Sequence, residues 1–125
     1  MATTETIGGG TLETLSAEEV KALYDANSII LIDVRTPGEY AFEHIAGALL
    51  APMSSFDPAR LPSGGDRPIV LHCGSGVRSR RMAEKCIEAG FSRISHMGGG
   101  FGAWKQAGYG FLGTDPATGA HVPRP

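Results

Sequence analysis

Apolar positions along the chain cluster in short bursts, and the period within each burst names the element it builds. Ile29 to Val34 is β-branched and almost wholly apolar, which predicts a strand buried on both faces, as in a parallel sheet. Ile69 to His72 predicts a second strand of the same kind, and Arg93 to Met97 a shorter one. Between these runs the spacing turns helical. Ser16-Ala17-Glu18-Glu19 is a capping-box pattern, with Ser16 capping the helix and Glu19 reaching back. Val20, Leu23 and Tyr24 follow at helical spacing, and Asn27 suits a left-handed stop. Thr36-Pro37 opens another helix, since proline is tolerated at the first helical position. Met82, Ala83, Cys86 and Ile87 share one face of a helix from about Ser79 to Ala89, and Gly90 ends it. Gly98-Gly99-Gly100 leads into a helix centred on Ala103 and Trp104 that stops near Gly108.

Strands that alternate with helices predict an α/β fold with helices on both faces of a mostly parallel sheet. Residues 1–10, rich in Thr and Gly, read as a flexible arm. Residues 11–109 form the expected domain, with an exposed Gly- and Pro-rich loop at Pro62 to Pro68. Residues 110–125 read as a tail punctuated by Gly110, Gly113, Pro116 and Gly119. The chain shows no internal repeat and no second domain.

Composition narrows the function. A chain of 125 residues is one domain and buries roughly two thirds of its unfolded surface. Apolar residues at 42% and charged residues at 19% are globular proportions. A net charge of −2 with no long run of one sign argues against a nucleic-acid partner. The longest aliphatic run, Ile29 to Ile32, is far too short for a membrane span. The first ten residues lack a basic patch before an apolar stretch, so no secretory signal is expected and a reducing, cytoplasmic setting is. Two cysteines, Cys73 and Cys86, are too few for a disulfide scaffold and form no CxxC pair. The four histidines are scattered without helix ligand spacing, so no metal is expected.

The candidate chemistry sits at Cys73. The strand Ile69 to His72 delivers it, Gly74, Ser75, Gly76, Val77 and Arg78 follow, and Ser79 opens a helix. This places the thiol beyond the carboxyl end of a parallel strand, where open α/β sheets put their ligand sites. Unpaired N–H groups and the positive end of the helix dipole favour a thiolate there. Two glycines let successive amides point inward as an anion cradle, and Arg78 adds positive charge. A nucleophilic sulfur in an electropositive cup suits attack on an anionic sulfur donor.

Cys-Gly-Ser-Gly-Val-Arg-Ser at 73–79 resembles the active-site loop of rhodaneses. Asp33-Val34-Arg35 with Glu39-Tyr40, His44-Ile45-Ala46-Gly47-Ala48, and Gly99-Gly100-Phe101-Gly102-Ala103-Trp104 resemble three further signatures of that family, in order. The resemblance covers roughly Leu12 to Tyr109. It implies a three-layer fold around a sheet of about five strands. It also implies a sulfurtransferase without a cofactor, in which a small anionic donor such as thiosulfate, or a persulfide, gives its outer sulfur to Cys73. Gly74, Ser75, Gly76, Val77, Arg78 and Ser79 would hold the persulfide, and a thiol or cyanide would remove the sulfur, with a sulfur-relay protein as a further class of partner. Asp33, Arg35 and Glu39 can be read as a catalytic charge cluster, but a structural ion pair, with Asp33 and Arg35 organising the loops near the site, is the expectation. Two departures stand out. Ala46 replaces the family's proline, and Gly74 stands where many members carry arginine, which weakens the case for thiosulfate.

Rival readings fit less well. His72-Cys73 and Arg78 resemble a cysteine-phosphatase loop, but four residues separate Cys73 from Arg78 where that motif has five. A non-catalytic binding module is the other alternative, against which Cys73, Arg78 and Ser79 are all retained. Gly98-x-Gly100-x-x-Ala103 matches a dinucleotide pattern only formally, and tight helix packing explains its glycines. Trp104 and Cys86 are expected in the core, Cys86 roughly 10 Å along its helix from the loop. His72 is expected to be structural, His44 to hydrogen-bond the backbone, and Arg80-Arg81 to lie on a solvated helix face.

Overall fold

The computed structural model describes residues 2–62 and 65–125; residue 1 and positions 63–64 of the predicted loop lie outside the described residues. The elements are β1 (Thr3–Ile7), β2 (Gly10–Leu15), α1 (Ala17–Asp25), β3 (Ile30–Asp33), α2 (Pro37–Phe42), β4 (Glu43–His44), β5 (Leu49–Leu50), β6 (Ile69–His72), α3 (Val77–Glu88), β7 (Arg93–Met97), α4 (Gly100–Gln106), β8 (Phe111–Thr114) and β9 (His121–Arg124). A six-stranded sheet runs in the order β1-β2-β7-β6-β3-β5. It is parallel throughout except for β1, which pairs antiparallel with β2. Strands β4, β8 and β9 form a small antiparallel sheet beside it.

Strand alternation splits the core into two layers. Ile32 and Leu71 face Met82, Ala83, Cys86 and Ile87 of α3. Leu31 and Val70, their immediate neighbours, face Val20 of α1 and Phe101 and Trp104 of α4. The runs at β3 and β6 are continuous because both faces are covered. Local signals held where their chemistry is self-contained. Ser16 and Glu19 form the reciprocal capping box, Thr36 and Glu39 form a second one at α2, and Asn27 takes the left-handed conformation at φ 55°. Trp104 is fully buried, and its indole N–H donates to the Gly110 carbonyl at 2.9 Å.

Two sequence expectations need correction. Residues 3–7, read as part of a flexible arm, form the edge strand β1. Thr-Thr-Glu-Thr-Ile has β propensity but is exposed along almost its whole length, so it carries no apolar alternation to detect. The 110–125 tail also folds: β8 and β9 make a hairpin that adds to β4, and the Thr114 hydroxyl and His121 Nε2 reach the Ala41 carbonyl. Among the described residues, no helix is long and apolar enough to cross a membrane.

Candidate active site

Strand β6 ends at Cys73, and the chain turns through Gly74, Ser75 and Gly76 into α3. Gly76, at φ 103°, caps α3 in a left-handed conformation, and an added Cβ would meet the Gly99 nitrogen at 3.2 Å. The turn aims backbone donors at the sulfur. Cys73 Sγ accepts N–H bonds from Gly76 at 3.1 Å and Ser79 at 3.3 Å, and Ser79 Oγ lies 3.7 Å away.

The outer face of the loop is anchored by α4. The Phe101 N–H donates to the Cys73 carbonyl at 2.8 Å, and the Gly102 N–H to the Gly74 carbonyl at 3.0 Å. With these carbonyls turned outward, the following amides are free to turn inward. The motif at 99–104 thus shapes the cradle through its backbone.

Burial and hydrogen bonding compete at Cys73. Burial pushes the thiol up, but the Ser79 N–H and hydroxyl and the N–H groups of Gly76 and Ser75 outweigh it, so the net shift is down. Among the described residues no such donor acts on the Cys86 thiol, and burial pushes it up to about 12. Both residues are free cysteines with no exposed surface. Burial therefore does not distinguish the two thiols; the amide cradle does.

Arg78 makes its hydrogen bonds to Glu39 rather than to the sulfur, although its charge still acts on Cys73. Its guanidinium makes two bonds to Glu39, at 2.7 and 3.1 Å, and Arg78 holds the Glu39 carboxyl at about 2. Asp33 and Arg35 form a separate pair at the end of β3. Arg35 Nε is 2.9 Å from Asp33 Oδ1 and Nη2 is 2.7 Å from Oδ2, with Nη2 also bonded to the Glu43 carbonyl. The Arg35 guanidinium lies 4.7 Å from the centre of the Phe101 ring, so the pair braces the residue whose N–H holds Cys73. The cluster of Asp33, Arg35 and Glu39 suggested by sequence is thus divided between two partners.

The pair predicts a large stability effect. Asp33 is fully buried, and Arg35 nearly so. Asp33→Ala is expected to destabilise the fold by about 3–5 kcal/mol, because it strands a buried guanidinium. Denaturant unfolding would show a lower midpoint at unchanged slope; a midpoint equal to wild type would mean that water or another acceptor already compensates Arg35.

The remaining candidates fall outside the sulfur's contacts. His72 is fully buried beside Asp33, at 3.6 Å, and its Nε2 has no hydrogen-bond partner among the described residues. Burial lowers its pKa against the opposing pull of Asp33 and the Cys73 carbonyl. His44 Nδ1 contacts the Tyr40 carbonyl at 2.8 Å. Arg80 is held by Glu5 at 2.6 Å and Glu84 at 3.4 Å. Val77 is exposed. An apolar cavity of about 270 Å³ surrounds Ile69, Val70 and Ile94 near the starts of β6 and β7, away from Cys73.

One neighbour of the loop escaped the sequence reading. His96 on β7 is buried, and its Nδ1 lies 2.9 Å from Ser79 Oγ. Seventeen residues and a strand crossing separate the two, and no local pattern announces the contact.

A family model for the Rhodanese-like domain matches residues 16–107. The chain belongs to the rhodanese-like family. Among curated relatives, it is 38% identical over 95 residues to the uncharacterized protein slr1261 of Synechocystis, covering 76% of this chain and 53% of that protein. It is 31% identical to the thiosulfate sulfurtransferase GlpE of Coxiella burnetii, over 73% of this chain and 85% of that one. It is 40% identical to the probable adenylyltransferase/sulfurtransferase MoeZ of Mycobacterium tuberculosis, over 73% of this chain but 24% of that protein. The chain thus spans about half of slr1261 and a quarter of MoeZ. Among solved structures, a rhodanese-related protein of Thermoplasma volcanium aligns with TM-score 0.62 at 25% identity, over 78% of this chain and 95% of that one. A Rhodopseudomonas palustris protein described as a possible tyrosine phosphatase aligns with TM-score 0.65 at 25% identity, over 77% and 81%. The six-stranded, mostly parallel sheet with its four helices is the rhodanese fold.

Proposed function

We propose that this rhodanese-like domain is a sulfurtransferase that carries sulfur as a persulfide on Cys73. The observation that supports this most strongly is the convergence of the Gly76 and Ser79 N–H groups on Cys73 Sγ. In the first half-reaction the Cys73 thiolate attacks the outer sulfur of the donor. The donor's S–S bond breaks, and its remainder leaves with the electron pair, as sulfite from thiosulfate or a thiolate from a small persulfide. In the second, an acceptor thiolate or cyanide attacks the outer sulfur of the persulfide, and Cys73 leaves as the thiolate that the cradle stabilises. Charge is conserved in each step, and no general base is required, because the nucleophile starts ionised. A reducing compartment such as the cytoplasm suits this chemistry.

The donor side favours a small persulfide over thiosulfate. Gly74 supplies no side chain, and the charge of Arg78 is taken up by Glu39. Glu39→Gln keeps the oxygen that caps Thr36 but removes the opposing charge. It is expected to raise kcat/KM for thiosulfate by roughly tenfold, the scale of one charge contact at a partly exposed site, with little change for a low-charge persulfide donor. Equal changes with both donors would count against Arg78 as an anion contact.

The decisive experiment is intact mass after incubation with glutathione persulfide or thiosulfate, followed by cyanide. Gain of one sulfur atom, located at Cys73 by digestion and removed by cyanide, is the expected result. No gain with either donor would overturn the reading. The same preparation is expected to release no phosphate from an aryl phosphate. The Cys73-to-Arg78 loop has four intervening residues and wraps closely around one buried sulfur, leaving less room for a phosphoryl group.

A further inference from the structure

The Ser79 hydroxyl has one proton and three neighbours that can accept it. Its Oγ lies 3.2 Å from the Gly76 carbonyl, 2.9 Å from His96 Nδ1 and 3.7 Å from Cys73 Sγ. Which neighbour receives the proton depends on the imidazole. Burial lowers the pKa of His96, Arg80 acts in the same direction, and Glu5 and Glu84 oppose them, so the ring is neutral near pH 7 and carries one N–H. On its far side, Nε2 lies 3.1 Å from Thr14 Oγ1 on β2. A proton on Nε2 would make Nδ1 an acceptor and draw the Ser79 proton away from sulfur. A proton on Nδ1 makes the ring a donor to Ser79 Oγ, and the Thr14 hydroxyl then donates to Nε2.

We propose that His96 is a positioning residue for the sulfur chemistry: by donating from Nδ1 to Ser79 Oγ, it leaves the Ser79 hydroxyl free to donate to the Cys73 thiolate. This rests on Cys73 being the nucleophile. The Gly76 carbonyl is a nearer alternative acceptor for the hydroxyl, but an anionic sulfur forms the stronger, charge-assisted bond. The chain of contacts runs from Thr14 on β2 through His96 on β7 and Ser79 on α3 to the end of β6. The groups facing it are Ser75, Gly76 and Arg78 at the sulfur, and Arg80, Glu84 and Glu5 around the ring. The inward amides supply a fixed part of the thiolate stabilisation, and the hydroxyl supplies a part that His96 controls.

The test is the pH dependence of thiolate absorbance and of alkylation at Cys73. Cys86, pushed up to about 12, stays silent in the relevant range. Ser79→Ala is expected to lower the thiolate fraction at neutral pH several-fold. His96→Leu should lower it equally, and the double variant should do no more than either. In His96→Asn the amide nitrogen can stand where Nδ1 does, so the wild-type profile should return. In His96→Gln the amide reaches towards Thr14 instead, and the profile should follow Leu. An unshifted profile in His96→Leu, additive effects in the double variant, or Asn and Gln behaving alike would overturn the proposal. Should His96→Leu fail to fold, the contrast between Asn and Gln decides it. No sulfur donor is used, so failure of sulfur loading in the wild type would sink the sulfurtransferase reading without touching this result.

Discussion

Cys73→Ser is expected to abolish sulfur loading and turnover completely while leaving the fold intact. The serine oxygen can still accept the N–H bonds that Gly76 and Ser79 give to sulfur, so the loop keeps its anchors. The cradle's several donors shift a thiol's ionisation enough to matter, but they cannot bring an aliphatic hydroxyl near neutrality. A hydroxyl also cannot hold sulfane sulfur as a persulfide. Cys86→Ser is the informative contrast. It sits in the same core layer, equally buried, but burial holds its thiol at about 12, where it is no nucleophile. That variant is expected to load sulfur at the wild-type rate and to lose only packing. Intact mass after donor treatment separates the two, with thermal unfolding confirming that both are folded. Sulfur retained on Cys73→Ser, or lost from Cys86→Ser, would move the chemistry to the other cysteine.

The contrast also shows what a sequence can reveal. The placement of Cys73 between a strand and a helix was legible because the features that set it are local: a buried apolar strand ends, two glycines follow, and a helix begins. The strands β3 and β6 were legible because full burial writes an unbroken apolar run, and the Ser16 capping box because its partner is three residues away. The edge strand β1 and the hairpin strand β9 were not, because exposed strands need no apolar alternation, and β8, four residues interrupted by Gly113, is too short to show one. The fine wiring of the site was hidden for a different reason. Arg78 meets Glu39 across 39 positions, and His96 meets Thr14 across 82. Such contacts are set by strand order, with β7 lying between β2 and β6, and strand order is not written locally. The sequence shows a plausible charge cluster at Asp33, Arg35 and Glu39; only the fold shows that Arg78 competes for one of its members.

Gly100→Ala is expected to disturb the sulfur site more than any other substitution outside the loop itself. Gly100 is buried at φ +58°, and an added Cβ would lie 2.5 Å from the Cys73 carbonyl oxygen, 2.7 Å from the Gly74 carbonyl carbon and 2.8 Å from the Gly74 carbonyl oxygen. All three are backbone atoms, so no flexible side chain can yield. Either α4 retreats or the loop moves, and both stretch the bonds from Phe101 N–H to Cys73 and from Gly102 N–H to Gly74. A released Gly74 carbonyl can rotate, and the Ser75 N–H, which shares its peptide plane and also acts on Cys73, rotates with it and shifts the turn that aims Gly76. Gly108→Ala isolates this contact, because Gly108 also has positive φ, at +82°, but nothing within 4 Å of its added Cβ. That control should lose about 1–2 kcal/mol, the cost of left-handed backbone for an L-residue, and keep its thiolate. Gly100→Ala should lose at least about twice as much, on the scale of a core overpacked against rigid neighbours, and its Cys73 should titrate upward towards an ordinary thiol. If it folds with the wild-type Cys73 profile, α4 does not set the cradle, and the amides must be held by the start of α3 alone. If its thiol rises while Gly108→Ala stays unchanged, the glycines of the 99–104 motif act on the chemistry through two backbone hydrogen bonds, without a side chain of their own at the sulfur.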